Sequence, residues 1–179
     1  APEKPFIHLM NLKPLNDSYF VDIPKMLADE LPAYIDNVNC AGGEDINELL
    51  AGLYSSCNDP CPHDEYLLVF GYQRGEKLKS DSMISCAGTD VSCADAFMHV
   101  LEKGPANGIH TIIWQDKFRG DITEDSMLSR FDLRIAFEMT ADNLLSFIME
   151  DNADSVDENT AVYYNALYDN QRFRVYQSP

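Results

Sequence analysis

Residues 95–116 read DAFMHVLEKGPANGIHTIIWQD, and this stretch limits the fold more tightly than any other. Phe97, Val100 and Leu101 recur at helical spacing, so it begins as an amphipathic helix. Gly104 and Pro105 end that helix, because glycine accepts a left-handed stop and proline cannot continue the ladder. After a turn at Asn107-Gly108, the β-branched run from Ile109 to Trp114 reads as a buried strand. Polar groups return where the strand ends, at Gln115, Asp116 and Lys117. Helix, tight turn and buried strand form one unit of an open α/β sheet. Ligands in such sheets bind beyond the carboxyl ends of the strands, so the tip of this strand is the first place to look for a site.

The rest of the chain repeats the alternation. Strands are expected over residues 6–12 and 34–39, with a helix over 22–31 between them. A helix over 44–56 presents Ile46, Leu49, Leu50 and Leu53 on one face. The apolar run 66–71 (YLLVFG) reads as a central parallel strand, followed by Tyr72, Gln73 and Arg74 at its carboxyl end. A long polar loop is expected over 75–92. Beyond the opening unit, short helices are expected over 125–131 and 141–149, the second capped by Thr140. Strands follow at 133–139, 160–165 and 172–177, the last two as an antiparallel edge hairpin. The expected architecture is one α/β domain over residues 1–179, a three-layer sandwich on a mostly parallel sheet closed by that hairpin.

Charge excludes several functions. The net charge is −17, and nothing basic lies between Lys25 and Arg74, where nine acidic residues do. Residues 138–169 also lack Lys and Arg. A surface that neutralises phosphates needs clustered cations, so direct DNA binding is not expected, nor is binding to anionic membranes. No apolar run is long enough to cross a bilayer and no signal peptide is expected. Five cysteines are an odd count without framework spacing, which points to reduced thiols and a cytoplasmic setting. Cys57-x3-Cys61-Pro-His63 lacks a second ligand pair, so no metal site is expected. Cys86 and Cys93 have no neighbouring cation in sequence to activate a nucleophile. His8, His110 and Trp114 read as packing residues, and His99 stands one helical turn from Asp95.

Gly108-Ile109-His110 with its strand, Leu133-Arg134-Ile135-Ala136-Phe137 further on, and Gly71-Tyr72-Gln73-Arg74 occur in the order seen in FtsK/SpoIIIE-type motor ATPases, which the chain resembles over residues 6–177. The resemblance implies a RecA-like core in which the strand at 66–71 takes the Walker B place and Gln115 or Asp116 senses the γ-phosphate. Gln73 is then the nearest polar side chain where the family carries its acidic pair, and Arg134 matches the arginine of the later strand. Two departures stand out. The phosphate-loop pattern G-x-x-x-x-G-K-[ST] is found nowhere in the chain, and no carboxylate follows the Walker B strand.

The implied function is part of an ATP-binding motor domain, cut from a longer protein or degenerate. Mg-ATP would be bound in the parent protein between subunits of a homo-oligomeric ring that moves DNA or a polypeptide. This chain alone is not expected to turn over ATP. The alternatives are a non-catalytic α/β interaction module and, third, a small-molecule enzyme using the strand ends.

Overall fold

The apolar run after Asp64 becomes the middle of a sheet. In the computed structural model, which describes residues 5–12, 26–27, 29–31, 37–58, 63–118, 123, 125–149 and 154–174, strand β3 spans Glu65–Phe70. It pairs in parallel with β1 (Phe6–Asn11) on one edge and β4 (Ile109–Trp114) on the other. Strand β2 (Asn37–Gly42) pairs in parallel with the far edge of β1, giving the order β2-β1-β3-β4. A strand enclosed on both edges and both faces has to be largely apolar. Leu67 and Val69 are accordingly buried, with Leu9 and Met10 beside them.

Side chains alternate across a strand, so the register decides which residues share a face. Met10, Val69 and Ile113 stand in one row; Leu9, Leu68 and Ile112 stand in a row on the opposite face. Helix α1 (Asp45–Ser56) lies over the His8 and Ala41 side and packs against α2 (Cys93–Lys103). On the other face, Leu27 and Leu31 pack against Ile7, Leu9 and Phe70. That cover stops short of β4, where Ile112 is 53 % and Trp114 45 % exposed.

The chain divides into two compact units, Ala1–Asp116 and Lys117–Pro179. The second holds α3 (Asp125–Leu128), β5 (Leu133–Ala136), α4 (Ala141–Ile148), β6 (Thr160–Asn165) and β7 (Tyr168–Arg174). Its three strands form a separate antiparallel sheet in the order β5-β6-β7. The α/β class and the closing hairpin are as expected, but β5 joins the hairpin instead of extending the parallel sheet. Ala136, Leu144, Ile148, Val156 and Val162 make this unit's core. Thr140 caps α4 by accepting the Asn143 N–H at 3.4 Å.

Several element edges move for local reasons. β2 runs on through Ala41-Gly42, and the turn falls at Gly43, whose φ is 61°. Residues 34–36 and half of the expected helix at 22–31 lie outside the described residues. The hairpin turn is shorter than expected, with β7 beginning at Tyr168. Trp114 is not a core residue but half-exposed on β4, an edge strand of its sheet among the described residues. His99 packs against Tyr54, centroids 4.7 Å apart, while Asp95 accepts from the Ser92 hydroxyl at 2.7 Å.

The glycine that ends α2 acts through space rather than handedness. Gly104 is right-handed, with φ −53°, and the left-handed residue is Gly108, with φ 82°. A Cβ at Gly104 would collide with the Val100 carbonyl oxygen and stand 3.0 Å from that of Ile109. Backbone on both sides cannot yield, so Gly104→Ala is expected to destabilise the protein by about 1–3 kcal/mol. Gly52 sits mid-helix in α1, and a Cβ there would have nothing within 4 Å. Gly52→Ala should therefore stabilise by about 0.5–1 kcal/mol. Urea titration of both variants checks the opposite signs.

Candidate functional site

Strand β3 stops at Phe70 because Gly71 turns left-handed, φ 74°, a conformation glycine adopts without a Cβ clash. The Gly71 N–H still donates to the Trp114 carbonyl at 2.9 Å, so the ends of β3 and β4 stay joined past their last paired residues. The chain then makes one 3-10 turn, Tyr72–Arg74, closed by the Arg74 N–H donating to the Gly71 carbonyl at 2.9 Å. Tyr72 anchors this turn, its ring stacked on Phe97 of α2 with centroids 5.8 Å apart. Gly75 follows in a tight place, where a Cβ would stand 3.0 Å from Leu12 and 3.2 Å from the Tyr72 carbonyl oxygen.

Two polar side chains result from that anchoring. Arg74 reaches the tip of β4, its Nη2 3.5 Å from Asp116 Oδ2. Gln73 is only 7 % exposed, and neither its Nε2 nor its Oε1 has a hydrogen-bond partner among the described residues. A buried amide left unpaired costs about 1–3 kcal/mol, and native folds keep few of them. Gln115 stands half-buried directly after β4. The structure thus brings Gln73, Gln115 and Asp116 to the carboxyl ends of adjacent parallel strands, where ligands of open α/β sheets bind.

Arg134 belongs to the second unit and is engaged there. Its Nε donates to the Phe131 carbonyl at 3.2 Å and its Nη1 to the Phe147 carbonyl at 2.9 Å, while its guanidinium lies 4.5 Å over the Tyr164 ring. Burial pushes its pKa below the ordinary arginine value, with Tyr164 and Asp132 opposing the shift. These contacts give Arg134 a structural task in tying β5 to α4.

A second polar cluster, not foreseen from the sequence, lies at the amino-terminal end of the same sheet. His8 Nε2 and Glu65 Oε2 are 3.1 Å apart, and His63 Nε2 is 3.9 Å from the other Glu65 oxygen. Phe6 stacks between the two imidazoles, at 5.0 Å from His8 and 5.9 Å from His63. The cluster borders a groove of about 580 Å³ that α1 lines with Asp45 and Glu48. A histidine inside one apolar strand and a glutamate opening its neighbour each need a buried partner, and that need was the readable signal. Burial lowers the His8 pKa and His63 adds to this, while the hydrogen bond and charge of Glu65 oppose it. Among the described residues no group of three His, Cys, Asp or Glu side chains is arranged to hold a metal ion; Cys61 lies outside them.

No known family's sequence model matches the chain, and no curated protein matches it. Its fold is shared with a solved structure, that of the pCW3 conjugation coupling protein TcpA in monomer form with ATPγS. The TM-score is 0.65 at 8 % identity, over 95 % of this chain and 51 % of the other. The chain therefore spans about half the length of that protein. At this identity the likeness shows a shared α/β fold and nothing finer.

Two consequences are measurable. Gln73→Leu removes an unpaired amide at nearly constant volume, so it is expected to raise the stability of this chain by about 1–2 kcal/mol in urea titration. The His8 pKa is lowered in the folded state, so the unfolded chain binds the extra proton first as pH falls. Stability is then complete above the ordinary histidine value and declines as pH drops below it. The urea midpoint should fall between pH 7.5 and pH 5.5, and His8→Gln should shrink that fall.

Proposed function

We propose that this chain forms part of an FtsK/SpoIIIE-like ATP-binding motor domain, contributing the strands that face the γ-phosphate rather than the loop that cradles it. The observation that carries the reading is Gln73: a buried amide with no partner among the described residues, set beside the Arg74–Asp116 pair at the carboxyl ends of β3 and β4. Support also comes from the sheet order, because β4 is an edge strand of its sheet among the described residues. A parallel strand added there would bring a phosphate loop to the same ends, and a helix start behind that loop favours phosphate. The TcpA structure was determined with ATPγS, which fits the choice of nucleotide.

The residues present suit binding better than hydrolysis. Gln73 offers both a donor and an acceptor, and Asp116 is a carboxylate within reach of Arg74. The residues after β3 are Gly71 and Tyr72, so the carboxyl end of this strand supplies no carboxylate to hold Mg²⁺ or orient water. In the parent protein the domain binds Mg-ATP and hydrolyses it slowly or not at all. It acts in a ring that handles a polypeptide, since a net charge of −17 disfavours tracking along DNA. The same missing carboxylate favours a second reading, a purely structural α/β module that docks a protein partner.

Calorimetric titration separates the two. The chain alone is expected to show no saturable Mg-ATP binding up to about 1 mM, whereas the parent protein binds saturably. Gln73→Leu or Asp116→Asn in the parent should weaken that binding about tenfold, near 1.4 kcal/mol. A parent protein that ignores Mg-ATP would overturn the motor reading in favour of the structural one.

A further inference from the structure

The long segment between Arg74 and α2 contains a closed loop whose two ends are cysteines. Ser85 and Ser92 form an antiparallel bridge, the Cys86 N–H donates to the Val91 carbonyl at 2.9 Å, and the Cys93 N–H donates to the Ile84 carbonyl at 2.7 Å. The loop turns through Gly88, with φ 70°, and Thr89 holds it by donating from its hydroxyl to the Cys86 carbonyl at 3.3 Å. This pairing sets the two sulfurs 3.5 Å apart, with Cys86 2 % and Cys93 0 % exposed. Both are free thiols.

We propose that Cys86 and Cys93 are a reversible oxidation site, a dithiol held ready to close into an intrachain disulfide when a low-molecular-weight disulfide is present. Bond formation needs the sulfurs to approach to about 2.05 Å, a movement of roughly 1.5 Å from their present separation. The steps balance. The Cys93 thiolate attacks a sulfur of the small disulfide, forming a mixed disulfide and releasing one small thiolate. Cys86 then loses its proton and attacks Cys93 Sγ, releasing the second small thiol. Two protein thiols are oxidised and one small disulfide is reduced to two thiols. The order follows from burial, which with the Cys93 hydrogen bond and charge pushes the Cys86 thiol up to about 12 and suits it to the second step. Because both sulfurs are buried, entry of the small disulfide waits on opening of the loop, so the reaction is slow and does not answer brief exposure.

Closure reaches beyond the loop. Cys93 Sγ donates to Asn47 Oδ1 at 3.5 Å, and Lys77 Nζ donates to the same oxygen at 3.1 Å. Lys77 lies in the short 3-10 turn Glu76–Leu78, which follows Gln73 and Arg74 and packs against α2. Oxidation removes the thiol donor from that oxygen and leaves it to Lys77, so the redox state of the pair acts on the segment carrying the candidate site. This thiol chemistry is independent of what that site binds.

The test uses the unmodified protein. The reduced protein is incubated with excess oxidised glutathione at pH 8, quenched by alkylation in denaturant, digested and mapped by mass spectrometry without reduction. The expected product is a peptide linking Cys86 to Cys93, lighter by two hydrogens, restored to free thiols by dithiothreitol. Its formation should raise the Tm by about 5 °C, since the bridge restricts the unfolded chain. Full alkylation of both cysteines at equilibrium would overturn the proposal. So would glutathione retained on each separately, or a bridge drawn to Cys40, Cys57 or Cys61 instead.

Discussion

Strand β3 is the constraint from which the first unit is built. It is paired on both edges, so its backbone groups are satisfied by β1 and β4 and its side chains must suit two covered faces. Interior hydrogen bonds contribute little net energy each, but leaving one unmade is expensive, so register and apolarity are enforced together. The same pairing fixes where the strand ends. Gly71 leaves the sheet in a left-handed turn yet keeps its bond to the Trp114 carbonyl. Whatever chemistry the chain carries at this end, Arg74 and Asp116 meet because that last bond holds two strand tips at one level.

The two ends of this sheet treat buried polarity differently. At the amino-terminal end, Glu65 is shared by His8 and His63, and the charge of one group meets the donor of another. At the carboxyl-terminal end, Gln73 carries an amide for which the described residues offer nothing. Protein interiors tolerate the first arrangement as structure and tolerate the second where function compensates for it. The contrast separates a cluster whose buried residues pair with each other from one whose buried amide has no partner among the described residues. Ile112 and Trp114 stand exposed on β4, an edge strand among the described residues, where large apolar side chains together leave a sheet surface uncovered.

Arg134 shows how a motif can be read correctly as sequence and still change its meaning. Its neighbourhood, LRIA, does form a strand, and the family resemblance gave the arginine a place in a motor. In its own unit the guanidinium is spent on two backbone carbonyls and an aromatic face. A buried arginine needs its donors engaged, and here the partners are the turns and helix that frame the strand.

Much was legible in the chain itself. Period and punctuation determined the helices from Asp45 and Cys93, the strands at Glu65 and Ile109, and the Thr140 cap, because spacing and local backbone preference act within a few residues. The tips carrying Gln73, Gln115 and Asp116 were also legible, since polar residues abruptly follow apolar runs. Only the tertiary structure decided that β5 joins β6 rather than the parallel sheet, that Glu65 satisfies His8, that Arg74 reaches Asp116 and that two cysteines seven positions apart bring their sulfurs together. Strand pairing and side-chain contact depend on which distant segments meet, and one sequence read in order contains no measure of that distance. Gly104 makes the same point at the scale of one atom: its sequence context marks a stop, but the reason is the space left between a carbonyl of its own helix and one of the following strand.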